Sequence, residues 1–207
     1  GDRKRKLIER VDNVAWLLGV TLTIQIVPGG GGRIAAVLVG ESNAVRARGR
    51  ELYDGLWRRT VARRSELVVA AIAGPPSMQT WGNFGRAIEA AGSFAGDGGT
   101  IVVCCELASM PGPGIRHLAA GDASRGEAMR QVSRHRPPDA LPAAQLASAL
   151  DRNKVYLLSR LDSATVEELD MVPLETPGEL MRLVRQYPPC TVLQDAQYII
   201  PCDSPVV

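Results

Sequence analysis

Lysine is nearly missing from this 207-residue chain. Only Lys4, Lys6 and Lys154 occur among 24 basic residues, so Schiff-base chemistry or covalent attachment of a cofactor has almost no candidate. Histidine is as scarce: His117 and His135 have no carboxylate or cysteine at ligand spacing and read as surface or helix-terminal side chains. The four cysteines, Cys104, Cys105, Cys190 and Cys202, contain no C-x-x-C pair. Adjacent residues on a strand point to opposite faces, so Cys104 and Cys105 cannot grip one metal ion together. With no secretory apolar region at the start, unpaired thiols predict a reducing, cytoplasmic setting. No run reaches 18 apolar residues, which argues against a membrane partner. Aromatics are 4% of the chain, and no stacking set, zinc spacing or helix-turn-helix signature accompanies the arginines, which argues against nucleic acid. A G-x-S-x-G elbow, a Walker loop and an H-E-x-x-H helix are also missing.

What is present is a globular composition: 45% hydrophobic, 22% charged, 21 Gly, 14 Pro and a net charge of +2. That length suits one domain burying roughly 70% of its unfolded surface. The basic residues cluster at Asp2 to Lys6 and from Arg46 to Arg64, as solvated helix faces. Gly1 stands at a start that falls inside a helical pattern, as it would in a piece of a longer polypeptide.

Lys6 to Gly19 places Leu7, Ile8, Val11, Val14 and Leu18 at helical spacing, predicting a helix with one buried stripe. Val20 to Val27 alternates and predicts a half-buried strand. With Arg33 to Gly40 it forms an antiparallel hairpin across Pro28 and four glycines. Gly30-x-Gly32-x-x-Ala35 satisfies a dinucleotide fingerprint in spelling. It leads into a second strand instead of a helix, so it reads as the hairpin tip. Glu41 to Arg63 predicts a helix with its basic arc in water.

The organising stretch is Leu67 to Glu106. Leu67 to Ala73 and Thr100 to Cys105 are apolar at nearly every position, which predicts parallel strands covered on both faces. Between them lie Gly74-Pro75-Pro76, a polar segment and an amphipathic helix. Further on, the pattern predicts helices over Ile115 to Ala120, Ala123 to Arg136, Asp139 to Leu150 and around Val166 to Leu169. It predicts strands at Lys154 to Ser159, Met171 to Leu174 and Cys190 to Leu193. Thr176-Pro177-Gly178-Glu179 forms a capping box at the head of a helix running through Tyr187, and Ala196 to Pro201 adds an edge. The fold class is therefore α/β: a mostly parallel sheet flanked by helices on both faces, with an N-terminal β-hairpin, as one domain over 1–207.

Ligands in such sheets bind at the carboxyl ends of strands, where this sequence puts Gln79, Thr80, Asn83 and Arg86, then Glu106 and Ser109, then Ser159 and Arg160, with Gln194 and Gln197 after the last strand. Gln79, Asn83 and Arg86 share a helix face if the helix already runs through them. One guanidinium with two amides suits a small carboxylate-bearing molecule. Helix capping beside a solvent-facing arginine accounts for the same residues equally well. Glu167 and Glu168 diverge, so no acid/base pair assembles.

At these residues the chain resembles the C-terminal half of the nickel-dependent lactate racemase family. The matching pieces are the strand ending in Gly40, the buried strand Val68 to Gly74, the loop Gly74 to Trp81, the helix Arg86 to Ala91, and Asp97-Gly98-Gly99 before Thr100. The likeness is specific over Val20 to Glu106. It implies the C-terminal half of a two-domain 2-hydroxy-acid racemase or epimerase, inactive in isolation. The expected partners are its own N-terminal domain and a small anionic hydroxy acid, and the cofactor is a nickel-pincer nucleotide whose attachment lysine lies outside this chain. It implies substrate contacts from Gln79, Asn83 and Arg86 and cofactor contacts from Thr80 and Trp81. Asn83 and Arg86 stand where the family has glutamine and lysine, and Gly82 where it has tyrosine. Arginine keeps a positive charge for an anionic substrate but does not give up a proton. A non-catalytic small-anion-binding or regulatory module with the same fold is the alternative.

Overall fold

A computed structural model describes residues 2–119 and 124–203, with side chains from Arg5 onward. Ala120 and Ala123, expected at helix ends, lie outside the described residues, as do Gly1 and the side chains of Asp2, Arg3 and Lys4. The contacts gather into two compact units, 1–56 and 57–207.

The first unit runs α1 (Asp2–Leu17), β1 (Thr23–Pro28), β2 (Ile34–Gly40) and α2 (Ser42–Trp57), the last residue of α2 belonging to the second unit. β1 and β2 form the antiparallel hairpin, Thr23 opposite Gly40 and Val27 opposite Ala36. The glycines make its tip as a single 3-10 turn in which Gly31 takes φ 65°, left-handed backbone that suits glycine. The Glu41 carboxylate caps α2, accepting from the N–H groups of Asn43 and Ala44, both at 3.0 Å. These bonds favour the charged form and hold its pKa below the usual value.

Two expectations for this unit are overturned. The apolar stripe of α1 is exposed from Leu7 through Val11 and Val14 to Leu18. The apolar side of β1, expected inward, faces out, while Thr23, Gln25 and Val27 are the more covered residues. The second has a visible cause: the Gln25 side chain lies against α2 at Gly49, where an added Cβ would stand 2.4 Å from its amide nitrogen. Period-two alternation fixes which residues share a face, and this packing chooses which face turns in.

The second unit is a doubly wound α/β layer. Its strands are β3 (Arg58–Thr60), β4 (Ser65–Ala71), β5 (Ala95–Cys104), β6 (Lys154–Leu158), β7 (Val172–Leu174), β8 (Thr191–Leu193) and β9 (Ile200–Cys202). Five of them form a parallel sheet in the order β7-β6-β5-β4-β8, and β3 pairs with β9 in a separate ribbon. The expected helix through Arg63 therefore stops at Trp57, because Arg58 to Thr60 pair as a strand with Ile200 to Cys202. Of the expected edge at Ala196 to Pro201, Ala196 to Tyr198 form a 3-10 turn, and Ile200 and Pro201 belong to that ribbon and not to the main sheet.

One face of the sheet carries α3 (Trp81–Phe94), α4 (Pro113–Arg116), α5 (Arg125–His135), α6 (Ala140–Leu150) and α7 (Ser163–Glu168), packed on Val68, Ala70, Ile101, Val103 and Leu157. The opposite face, with Leu67, Val69 and Val102, is covered by Leu180, Leu183 and Val184 of α8 (Pro177–Gln186). The capping box forms: Glu179 N–H donates to Thr176 Oγ1 at 3.3 Å, and Thr176 N–H donates to Glu179 Oε2 at 3.4 Å. Strand order advances from β4 through β7 in one direction, then returns past β4 to β8. The topological switch point is thus beside β4, where this class of sheet opens a crevice for ligands.

Candidate functional site at the carboxyl ends of the strands

The segment leaving β4 turns at Gly74 (φ 111°), passes a 3-10 turn at Pro76–Met78 and enters α3 at Thr80. Thr80 is the N-cap, its hydroxyl accepting from Asn83 N–H at 3.2 Å. The Asn83 side chain, 7% exposed, donates through Nδ2 to Met78 O at 2.7 Å. Its Oδ1 accepts from Arg86 Nη1 at 3.2 Å.

Gln79 is 9% exposed and fully engaged with backbone. Its Nε2 donates to Ile72 O (3.3 Å) and Gly74 O (3.4 Å), and its Oε1 accepts from Glu106 N–H (3.0 Å). Trp81 Nε1 donates to Ser109 O at 2.9 Å, and its ring meets Phe84 edge-on with centroids 5.3 Å apart. Gln79 and Trp81 thus join the segments after β4 and β5.

Arg86 differs from these four. It is exposed, and among the described residues no carboxylate pairs with it. Asn83 therefore orients a guanidinium whose charge stays available to an anion. Further along the same end of the sheet, Glu106 and Arg160 form an exposed ion pair at 3.1 Å, and Arg160 N–H donates to Leu107 O at 3.0 Å. Gln197 closes the side toward β8: it is 3% exposed, and its Nε2 donates to Ala73 O at 3.2 Å. Its buried Oε1 has no protein partner among the described residues.

The structure thus brings Gln79, Asn83, Arg86, Glu106, Ser109 and Arg160 to one end of the sheet. Gln194 instead lines a half-open groove of about 280 Å³ with Trp57, Arg59, Thr60 and Phe94. A second groove, about 240 Å³ between α3 and α6, holds Glu89, Gln145 and Arg152. Neither groove includes Gln79, Asn83 or Arg86. Burial pushes the Cys104 thiol, at the end of β5, up to about 11, and burial likewise pushes Cys105 up to about 11.

Sequence reasoning missed two contacts near this end. The Asp139 carboxylate accepts from Gly114 N–H (2.8 Å) and Ile115 N–H (2.9 Å), fastening α4 to α6. His117 and His135 stack with centroids 6.4 Å apart. Both pairings join residues on either side of, or at the end of, α5, and neither partner carries a spacing signal. Among the described residues no group of three or more His, Cys, Asp or Glu side chains could hold a metal ion. The chain therefore offers an anionic group a guanidinium, and its described residues offer a metal no centre of their own. No helix among the described residues is long and apolar enough to cross a membrane.

No protein-family model matches the chain, and no curated protein matches it in sequence. Solved structures do match. The lactate racemase apoprotein from Thermoanaerobacterium thermosaccharolyticum aligns with 88% of this chain and 46% of its own, with a TM-score of 0.73 and 21% identity. A Thermotoga maritima protein known from its crystal structure aligns with 87% of this chain and 48% of its own, with a TM-score of 0.59 and 10% identity. The chain spans under half the length of either protein. At these identities the likeness is one of fold.

Proposed function

We propose that this chain is the C-terminal, substrate-facing half of a 2-hydroxy-acid racemase or epimerase related to lactate racemase. The reading is supported by the fold shared with the lactate racemase apoprotein and carried by one observation: an exposed arginine on the first turns of α3, beside the switch point, oriented by Asn83 and free of any carboxylate partner among the described residues. Arg86 binds the carboxylate of the hydroxy acid or an anionic group of the cofactor. Asn83 aims the guanidinium, and Gln79, Thr80 and Trp81 hold the loop that presents both.

The nickel-pincer nucleotide implied by this relationship would supply hydride transfer at the hydroxyl-bearing carbon. In this proposal its metal and its covalent attachment belong to the other half, in keeping with described residues that gather no three His, Cys, Asp or Glu side chains able to hold a metal ion. The contribution of this chain is binding and orientation. The test is Arg86→Ala in the full-length polypeptide, with racemisation of L-lactate and of larger 2-hydroxy acids followed by chiral chromatography. Loss of a charged hydrogen-bonding partner raises KM about tenfold or more, and an unchanged KM removes Arg86 from the site.

A second reading, a small-anion-binding module without chemistry, is favoured by the engagement of Gln79, Thr80, Asn83 and Trp81 in holding the chain itself. It predicts lactate binding by calorimetry, lost in Arg86→Ala, with no turnover in the full-length polypeptide.

A further inference from the structure

The hairpin of the first unit is inside out. Ile24, Ile26, Val37 and Val39 are 66%, 58%, 56% and 58% exposed, while the amide of Gln25 is packed on α2. Ile24 stands opposite Val39 and Ile26 opposite Val37, so the four side chains make a continuous apolar face, and Leu22 beside them is exposed too. Water meets the branched side chains and a polar side chain is covered, the reverse of what burial free energy selects on a lasting surface. Single exposed apolar residues are ordinary, but a contiguous patch marks an interaction surface. A two-stranded sheet, moreover, has marginal stability with one face uncovered.

At roughly 100 Å² per residue the hairpin face offers about 500 Å², more than half of the ~800 Å² that one partner gives to a standard interface. Neither strand carries a charged residue, as expected of a permanent contact and not of a transient one.

We propose that the outer face of the β1–β2 hairpin is the seat of a second domain, corresponding to the part of the lactate racemase apoprotein that has no counterpart in this chain. The identity of this occupant rests on the racemase-like reading. More than half of each matched structure lies outside the region this chain covers, 46% and 48% being matched, so a domain is at hand in that fold to cover such a face. The contact is apolar, with Ile24 and Ile26 at its centre.

Carbene footprinting of the 207-residue chain and of the full polypeptide encoded by its reading frame tests this, read by mass spectrometry over residues 22–39. The expected result is strong labelling of Ile24, Ile26, Val37 and Val39 in the shorter chain and several-fold weaker labelling in the full polypeptide. Equal labelling overturns the proposal. So does protection in the shorter chain that grows with its concentration, which identifies a second copy as the occupant, and so does protection already complete at the lowest concentration, which places the cover within the chain. The variant Ile26→Asp with Val37→Asp leaves the thermal transition of the shorter chain in place, and in the full polypeptide it splits one transition into two; a single unshifted transition in the full polypeptide counts against the interface. A full polypeptide protected at the hairpin yet inactive on every 2-hydroxy acid removes the racemase reading and keeps the interface. Turnover with the hairpin fully labelled does the reverse.

Discussion

Gln79 Oε1 accepts a hydrogen bond from the backbone N–H of Glu106 at 3.0 Å, while Nε2 of the same side chain donates to the carbonyls of Ile72 and Gly74. One buried amide thereby ties the segment leaving β4 to the segment leaving β5, and the tie needs an acceptor and a donor at once.

Gln79→Leu keeps the volume and leaves these backbone groups without partners. Each buried group left unsatisfied costs about 1–3 kcal/mol. The loss of even one such group lowers Tm by several degrees, at roughly 2–4 °C per kcal/mol for a domain of this size. Gln79→Glu fails in a different way: its carboxylate still accepts from Glu106 but faces two carbonyls without a proton to give. Its deficit at pH 7 shrinks in mild acid, where the protonated carboxyl regains a donor. Thermal melts at pH 5 and pH 7 check both outcomes.

Arg86 and Asn83 separate binding from folding. Arg86 is exposed, so Arg86→Ala changes stability by no more than about 0.5 kcal/mol while removing the charge that an anion would meet. Asn83→Ala also strips Met78 O of its donor, so it lowers Tm as well as weakening binding. Calorimetry with a 2-hydroxy acid, alongside thermal melts, distinguishes the two variants. Equal Tm losses would mean that Arg86 serves the fold.

The parallel β4–α3–β5 unit is legible in the sequence because both strands are apolar at nearly every position and a Pro-rich break and an amphipathic stretch lie between them. The capping box at Thr176 is legible for the same reason: its signal lies within four residues. Gln79, Asn83 and Arg86 are recognisable as a polar cluster after a central strand, but their partners are not. Those partners are backbone groups of Ile72, Gly74, Met78 and Glu106, and a backbone carbonyl carries no residue identity to read. The hairpin marks the other boundary. Alternation at Ile24 and Ile26 specifies a strand and is silent on which face turns toward α2, and the packing of Gln25 on Gly49 depends on a residue far along the chain. β3 is missed because Arg58 to Thr60 continue a helical pattern, and only the distant segment Ile200 to Cys202 pulls them into a ribbon.

The thiols of Cys104 and Cys105 give a pH signature. Burial raises both to about 11 from an ordinary value of 9.0, so at pH 8 roughly one in a thousand is thiolate. Iodoacetamide at that pH leaves both residues unmodified in the folded chain and alkylates them in guanidinium, as peptide mass spectrometry reads. The folded state holds protons that the unfolded chain releases above pH 9. The stability linked to these groups is therefore fully present below pH 9 and is lost as pH rises toward 11. Replacing both cysteines with alanine flattens that alkaline decline; a decline unchanged in the variant assigns it to other groups.

Gly82 and Gly85, on the first turns of α3, respond oppositely to the same added methyl group. A Cβ at Gly85 would stand 2.2 Å from Gln145 Oε1 and 2.9 Å from the backbone Cα of Pro142 on α6. The glutamine oxygen can swing away, but the proline backbone moves only with its helix, so Gly85→Ala forces α3 and α6 apart at a cost of about 1–3 kcal/mol. A Cβ at Gly82 meets nothing nearer than Thr80 Oγ1 at 3.8 Å, ordinary contact, and Gly82 is exposed on a helical turn. Gly82→Ala there gains up to about 1 kcal/mol of helix propensity. Denaturant melts of the two single variants are expected to move the midpoint in opposite directions. A Gly85→Ala midpoint equal to that of the parent chain would mean that α6 lies farther from α3 than the contact at Pro142 requires.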